Sequence, residues 1–253
     1  MLIDVHCHAN LYMIVDPILK EAKNAGVEKI LCVAMSAISQ NRVLELCNSH
    51  EMLYPALGIH PEEVEENENI EAQLEGILHK IHDNRDQLCA IGEIGLDHHF
   101  QKNKELYPLQ RKIFESMLQI AQDLNLPVNL HTKGAEKEVF DILPSYKLPH
   151  INIHWYSGPE PQLKTGIERG YYFSITPALK YSPPMQRVVS LVEVDHLLLE
   201  SDGPVKYAGQ TGVPAMVREV LTRIAHLKNL EVHQLEKQIQ ENTQNVFPKL
   251  FES

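Results

Sequence analysis

A chain of 253 residues, 43% of them hydrophobic, carries enough apolar mass for one large core, and a single α/β barrel of ordinary size fits that length. No apolar run reaches the ~20 residues that span a bilayer, so no membrane contact is expected. The net charge of −11 is lopsided: residues 1–100 hold 6 Lys and Arg against 17 Asp and Glu, while the charges of 101–253 cancel, which argues against gripping long stretches of duplex by counterion release.

In chain order, the first strand-like run is Leu2–His6, which leads into His6-Cys7-His8. Strand side chains alternate faces, so His6 and His8 reach one point beyond the strand's end while Cys7 faces away. Val15–Ala25 reads as a helix begun by Asp16-Pro17 and followed by Gly26. Further strand-like runs at Lys29–Ala34, Tyr54–His60, Cys89–Gly95, Pro127–His131, Ile151–His154, Tyr171–Ile175 and Leu197–Ser201 alternate with helical patterns. Those patterns cover Ser39–Ser49, Ile70–Asn84, Leu106–Leu124, Ala135–Leu143, Pro161–Arg169, Pro184–Val192 and Pro214–Lys228. The acidic run Glu62–Glu68 is read as a solvated loop and helix start. Val232–Leu250 adds one or two helices packed outside.

Short apolar, β-branched runs suit parallel strands buried on both faces. Strict alternation without a linker predicts one domain, residues 1–253, folded as a (β/α)8 TIM-type barrel with an extra C-terminal helix. An open doubly wound sheet would need a Gly-rich phosphate turn after the first strand, and Ala9-Asn10-Leu11 is not one. The cysteines at 7, 32, 47 and 89 show no paired spacing. With the absence of a basic leader at the N-terminus, they suggest reduced thiols and a cytoplasmic location.

The strand ends carry the chemistry. His6 and His8 follow the first strand, Glu93 lies in the fourth, His131 ends the fifth, His154 the sixth, and Asp202 follows the eighth. In a barrel all these ends meet at one mouth. Six such residues from five strands form an expected ligand set for one or two divalent ions, with zinc, magnesium and manganese all compatible. Glu93, midway in the barrel order, is the expected bridge between ions ~3.5–4 Å apart. The histidine pair and Asp202 would hold one ion, and His131 and His154 the other. Asp202 is also the expected general base toward an attacking water. Around these stand His60, assigned a catalytic role near the substrate, and Asp97, read as a turn cap. Lys133, Trp155, Tyr156 and Glu200 are the expected substrate contacts, with Lys133 for phosphate, the aromatic pair for a base or the mouth, and Glu200 beside Asp202.

As an ordered set, several motifs resemble the TatD-related metal-dependent deoxyribonucleases of the amidohydrolase superfamily. They are His6-Cys7-His8, Gly58-Ile59-His60-Pro61, Gly92-Glu93-Ile94-Gly95-Leu96-Asp97, Asn129-Leu130-His131, His154-Trp155-Tyr156-Ser157-Gly158 and Glu200-Ser201-Asp202-Gly203-Pro204. The resemblance covers essentially the whole chain. It implies a TIM-type barrel, one or two divalent ions, the ligand set above with His60 near the scissile group, and hydrolysis of DNA phosphodiesters by 3′-to-5′ exonuclease action. Single strands or strand ends would be the partner, and no obligatory protein partner is evident. The chain departs from the common pattern in having Lys133 where an arginine is frequent, Tyr156 where a phenylalanine is frequent, and Ser201 and Gly203 for threonine and alanine. Lysine loses the bidentate fork, so these changes bear on substrate rather than metal. The alternative is a hydrolase of another ester, a lactone or an amide on the same metal site.

Overall fold

The computed structural model describes residues 1–252. Eight parallel strands form one sheet in the order β1 to β8: β1 (Leu2–Cys7), β2 (Val27–Val33), β3 (Leu53–Leu57), β4 (Ala90–Gly95), β5 (Val128–His131), β6 (Ile151–Ile153), β7 (Tyr172–Ile175) and β8 (Leu197–Leu199). Between them run α1 (Asp16–Asn24), α2 (Ala37–Ser49), the short α3 (Glu63–Glu66), α4 (Ile70–Asp83), α5 (Tyr107–Leu124), α6 (Glu136–Ile142), α7 (Glu160–Glu168) and α8 (Pro183–Leu191), and α9 (Val217–Lys228) and α10 (Val232–Val246) follow β8. The barrel expected from the alternation is therefore present. A two-stranded hairpin, Lys206–Tyr207 with Gln210–Thr211, sits in the loop after β8. No helix among the described residues is long and apolar enough to cross a membrane.

Local signals explain the boundaries. Ser36 and Ser39 form a reciprocal capping box at the start of α2, which satisfies two otherwise orphaned backbone donors. Pro17, Pro108 and Pro183 occupy first-turn positions of α1, α5 and α8, where a missing N–H costs nothing. Asn125 and Asn229 close α5 and α9 in the left-handed conformation.

Strand periodicity sorts the core into two layers. Ile30, Cys32, Leu197 and Leu199 belong to the large cluster that joins strands to helices. Their neighbours Leu31, Val33 and Leu198, with Ile3, Val5, Ala56 and Ala90, form a second cluster with Val246, Phe247 and Leu250. The end of α10 and the turn after it thus pack against this second cluster, so the last helix is more than an outer addition. A polar layer also lies within the barrel: Asn129 donates to the Val5 carbonyl at 2.9 Å, and Asn152 donates to Asn129 Oδ1 and Ser174 Oγ at 3.1 and 2.8 Å.

The seam between β8 and β1 closes without a strand ladder. The Asp202 N–H donates to the His6 carbonyl at 2.9 Å and the His8 N–H to the Gly203 carbonyl at 2.8 Å. Below them the fully buried Asp4 carboxyl accepts the Ser201 N–H at 2.9 Å and the Ser201 hydroxyl at 2.5 Å. Burial raises this carboxyl to about 7, against the pull of its bonds to Ser201 and His6. Asp4→Ala should destabilise the protein by about 1–3 kcal/mol, the usual cost of stranding buried partners. Ser201→Ala should cost less, and the double variant less than the sum, because the two residues share one interaction. Denaturant unfolding of the single and double variants checks this; additive losses would show that the pair does not fasten the seam.

Candidate metal centre

Each strand end delivers its side chain to one mouth. His6 lies in β1, with His8 just beyond it. Glu93 lies within β4, His131 ends β5, and His154 directly follows β6. His60 and Asp202 stand three residues past the ends of β3 and β8. Backbone pairing has already stopped there: the His60 N–H donates to the Met35 carbonyl at 2.8 Å. The glycines of the motifs make the convergence possible. A side chain at Gly58 would lie 2.6 Å from the Glu93 carbonyl oxygen, and one at Gly95, whose φ is +150°, would collide with the His131 carbonyl. Bare backbone lets β3, β4 and β5 approach this closely.

The Glu93 carboxylate is the hub. Its Oε2 lies 3.4 Å from both His6 Nε2 and His8 Nε2. Its Oε1 lies 3.0 Å from His131 Nδ1, 3.5 Å from His154 Nε2 and 3.6 Å from His60 Nε2. Asp202 Oδ1 lies 3.6 and 3.4 Å from the His6 and His8 Nε2 atoms. Three triads have ligand atoms all within 4.8 Å of one another: His6-His8-Glu93, His6-His154-Asp202 and His60-Glu93-His131. The structure thus brings all six expected ligand residues together. His60 joins them beside His131, and His154, which stacks on His6 at 3.8 Å, lies within reach both of Asp202 and of the Glu93 Oε1 that faces His131.

The charges are mutually dependent. Burial tends to raise Glu93, but the imidazoles of His60 and His6, the bond from His131 and the nearby His154 ring hold it well below the usual carboxylate range. Asp202 is likewise lowered against its burial, by His154, His8 and His6. Burial pulls His6 down, but Glu93 and Asp202 outweigh it and carry the ring up to about 10. At His131 the bonds to Asp97 and Glu93 prevail over burial and leave it at about 9. At His60 burial wins against Glu93 and pushes the ring down to about 3.

This donor set fits a divalent cation. Every ion-pair contact of Glu93 and Asp202 is to an imidazole. The Nε2 atoms of His6 and His8 face each other at 3.2 Å, and the buried His6 Nδ1 has no hydrogen-bond partner. Imidazole and carboxylate oxygen are ligands that zinc and manganese both accept.

Above the cluster opens a cavity of about 480 Å³, lined by His8, His60, Glu93, His131, His154 and Asp202, and higher up by Lys133, Ser157, Trp155, Glu62 and Glu136, with Leu11, Phe100 and Val205. Lys133 Nζ donates to Ser157 Oγ at 2.7 Å. Two expected substrate contacts lie elsewhere. Tyr156 is 1% exposed, packs edge-on to Phe173 and donates its hydroxyl to the Pro159 carbonyl. Trp155 takes a left-handed backbone with φ of 38°, and only the first of the two aromatic residues lines the cavity. Glu200 is fully buried; its Oε1 accepts the Trp155 N–H at 2.9 Å and lies 3.0 Å from His154 Nδ1, out of hydrogen-bond alignment. It lies behind His154 and does not line the cavity.

Asp97 does more than the expected turn cap. Its Oδ1 accepts the N–H groups of His99 and Phe100 at 2.8 and 2.6 Å, while Oδ2 lies 2.8 Å from His131 Nε2. A carboxylate two residues beyond the Gly95 that ends β4 was the available signal, but nothing in its spacing links it to His131. Two expectations follow for metal content. Glu93→Ala should lose bound metal while remaining folded, and elemental analysis showing parent-like content would remove Glu93 as the hub. Asp97→Asn, which weakens the hold on His131, should lower metal affinity roughly 10–100-fold, read by titration with Mn²⁺; parent-like affinity would reduce Asp97 to a loop cap.

Comparison with known proteins agrees with this geometry. The TatD related DNase family matches residues 3–248. The human protein named Deoxyribonuclease TATDN3 is 28% identical, covering 98% of this chain and 95% of its own length. A Pantoea ananatis protein named 3′-5′ ssDNA/RNA exonuclease TatD is 25% identical over 246 residues, 92% of each chain. The crystal structure of YjjV, a TatD homologue from Escherichia coli, superposes with a TM-score of 0.89 at 26% identity over 98% of both chains. With a family match that spans nearly its entire length and a barrel mouth built from imidazoles and carboxylates, the chain belongs to the TatD-related DNase family of metal-dependent hydrolases.

Proposed function

We propose that the chain hydrolyses phosphodiester bonds at the ends of single-stranded DNA, as a 3′-to-5′ exonuclease. One or two divalent ions, magnesium, manganese or zinc, would be held by His6, His8, Glu93, His131, His154 and Asp202. The observation that carries this reading is the orientation of Glu93, whose two oxygens face two different groups of imidazoles on the floor of one cavity. Relatives named deoxyribonuclease and 3′-5′ ssDNA/RNA exonuclease supply the substrate class. Bound divalent ions would polarise a phosphoryl oxygen and make water a stronger nucleophile at neutral pH.

The protein's own groups do the rest. Asp202 lines the cavity beside His6 and His8 and accepts the proton of the attacking water. His60, uncharged because burial depresses it, offers the scissile group a hydrogen bond without a charge. Lys133, braced by Ser157, offsets phosphate charge as a point cation. Trp155 stands at the mouth. A second reading, hydrolysis of an uncharged ester, lactone or amide, draws support from Glu62 and Glu136, whose carboxylates share the cavity with that single lysine.

Single-stranded DNA with added Mn²⁺ or Mg²⁺ should be degraded, chelation should abolish turnover, and metal should restore it. Turnover of lactone or amide panels with inert DNA would select the second reading. At saturating metal, Asp202→Asn should lower kcat by ~10²–10⁴-fold, the range for a positioned proton acceptor, with KM little changed. A parent-like kcat with only a raised KM would assign the proton to another group.

A further inference from the structure

The cavity above the metal floor is poorly equipped to hold a polyanion by charge. Among the described residues that line it, Lys133 is the one lysine or arginine, and Glu62 and Glu136 share the wall with it. The whole chain carries a net charge of −11. A strand that contacts few cations gains little from counterion release, so affinity has to come from somewhere else.

The rim supplies it. Phe100, Leu11 and Val205 are 62%, 54% and 39% exposed, and all line this cavity. Trp155 joins them, its indole packed on Tyr207 at 5.5 Å. Exposed apolar groups gathered round a polar site mark an interaction surface, and their position is built rather than incidental. The Phe100 N–H is fixed by Asp97, which also holds His131, and the His98 N–H donates to the Lys133 carbonyl at 2.9 Å. The loop that carries Phe100 is thereby tied to a metal-ligand histidine on one side and to the cavity's lysine on the other.

We propose that Phe100 is a specificity residue of this site: with Trp155 it stacks unpaired bases next to the scissile phosphate and makes the enzyme select strand ends by their bases rather than by their charge. The inference rests on the phosphodiesterase reading above. Stacking accepts any base face and requires that the base be unpaired, so the selected class is single-stranded, with weak sequence preference. Only the end of a strand enters, because a second and third phosphate would meet Glu62 and Glu136 rather than cations.

The test compares two oligonucleotides of one sequence, one with bases throughout and one whose terminal residues at both ends lack bases, on the metal-loaded enzyme. The parent should show a KM roughly 10- to 100-fold lower for the strand with bases, the range that base–aromatic stacking supports. Phe100→Ala should remove most of that difference, whereas Phe100→Tyr should keep it. KM should also depend weakly on salt, with a log–log slope near the ~0.7 expected for one phosphate contact on a single strand. Equal KM for both oligonucleotides in the parent, or undiminished discrimination in Phe100→Ala, would overturn the inference while the phosphodiesterase reading stood. Absence of turnover on both strands would end that reading and this inference with it.

Discussion

The Glu93 carboxylate, buried within a β-strand and paired only with imidazoles, is the constraint on which the barrel mouth depends. An isolated buried carboxylate is among the most costly groups a core can hold. It becomes tolerable when several partners converge on it, and convergence requires bare backbone on both sides. Gly58 supplies that on the β3 side and Gly95 on the β5 side. The same carboxylate shapes the electrostatics around it, since it raises His6 together with Asp202, and His131 together with Asp97, above the ordinary imidazole range while burial keeps His60 below it. Protons on those rings must leave for a cation to enter, which ties metal binding to pH.

A further layer of carboxylates holds the rings in place. Asp97 grips His131, and Glu200 holds the turn that carries Trp155 and lies against His154. Asp4 fastens the seam immediately beneath Asp202, where the barrel has no ladder between β8 and β1. Seam and site therefore share their residues: the Asp202 N–H that bonds the His6 carbonyl belongs to the residue whose side chain faces the cavity. Geometry at the metal floor is set by the closure of the fold.

Much of this was legible in the sequence because it follows from periodicity. Short apolar runs alternating with amphipathic ones dictate the barrel, and a barrel brings His6, Glu93, His131 and His154 to one end whatever the loops do. What depends on loop conformation was not legible. The strand expected to run to His60 ends at Leu57, and His60 reaches the mouth from a turn in which its N–H bonds the Met35 carbonyl. Trp155 and Tyr156 are neighbours of similar chemistry, yet the left-handed turn at Trp155 sends one to the cavity and the other into the packing around Phe173. Asp97 looked like a turn cap and is one; its second oxygen reaches His131 only through the tertiary fold. Phe100 carried no signal, since a single exposed phenylalanine in a loop is unremarkable until the cavity beside it is seen.

The central claim is that Glu93 stands between two cation positions. Anomalous diffraction from crystals soaked in Mn²⁺ tests it most directly. The account predicts two peaks flanking the Glu93 carboxylate, ~3.5–4 Å apart as in two-metal hydrolytic sites, one beside His6, His8 and Asp202 and the other beside His131. A single peak with Glu93 outside its coordination sphere, or density away from the barrel mouth, would contradict it.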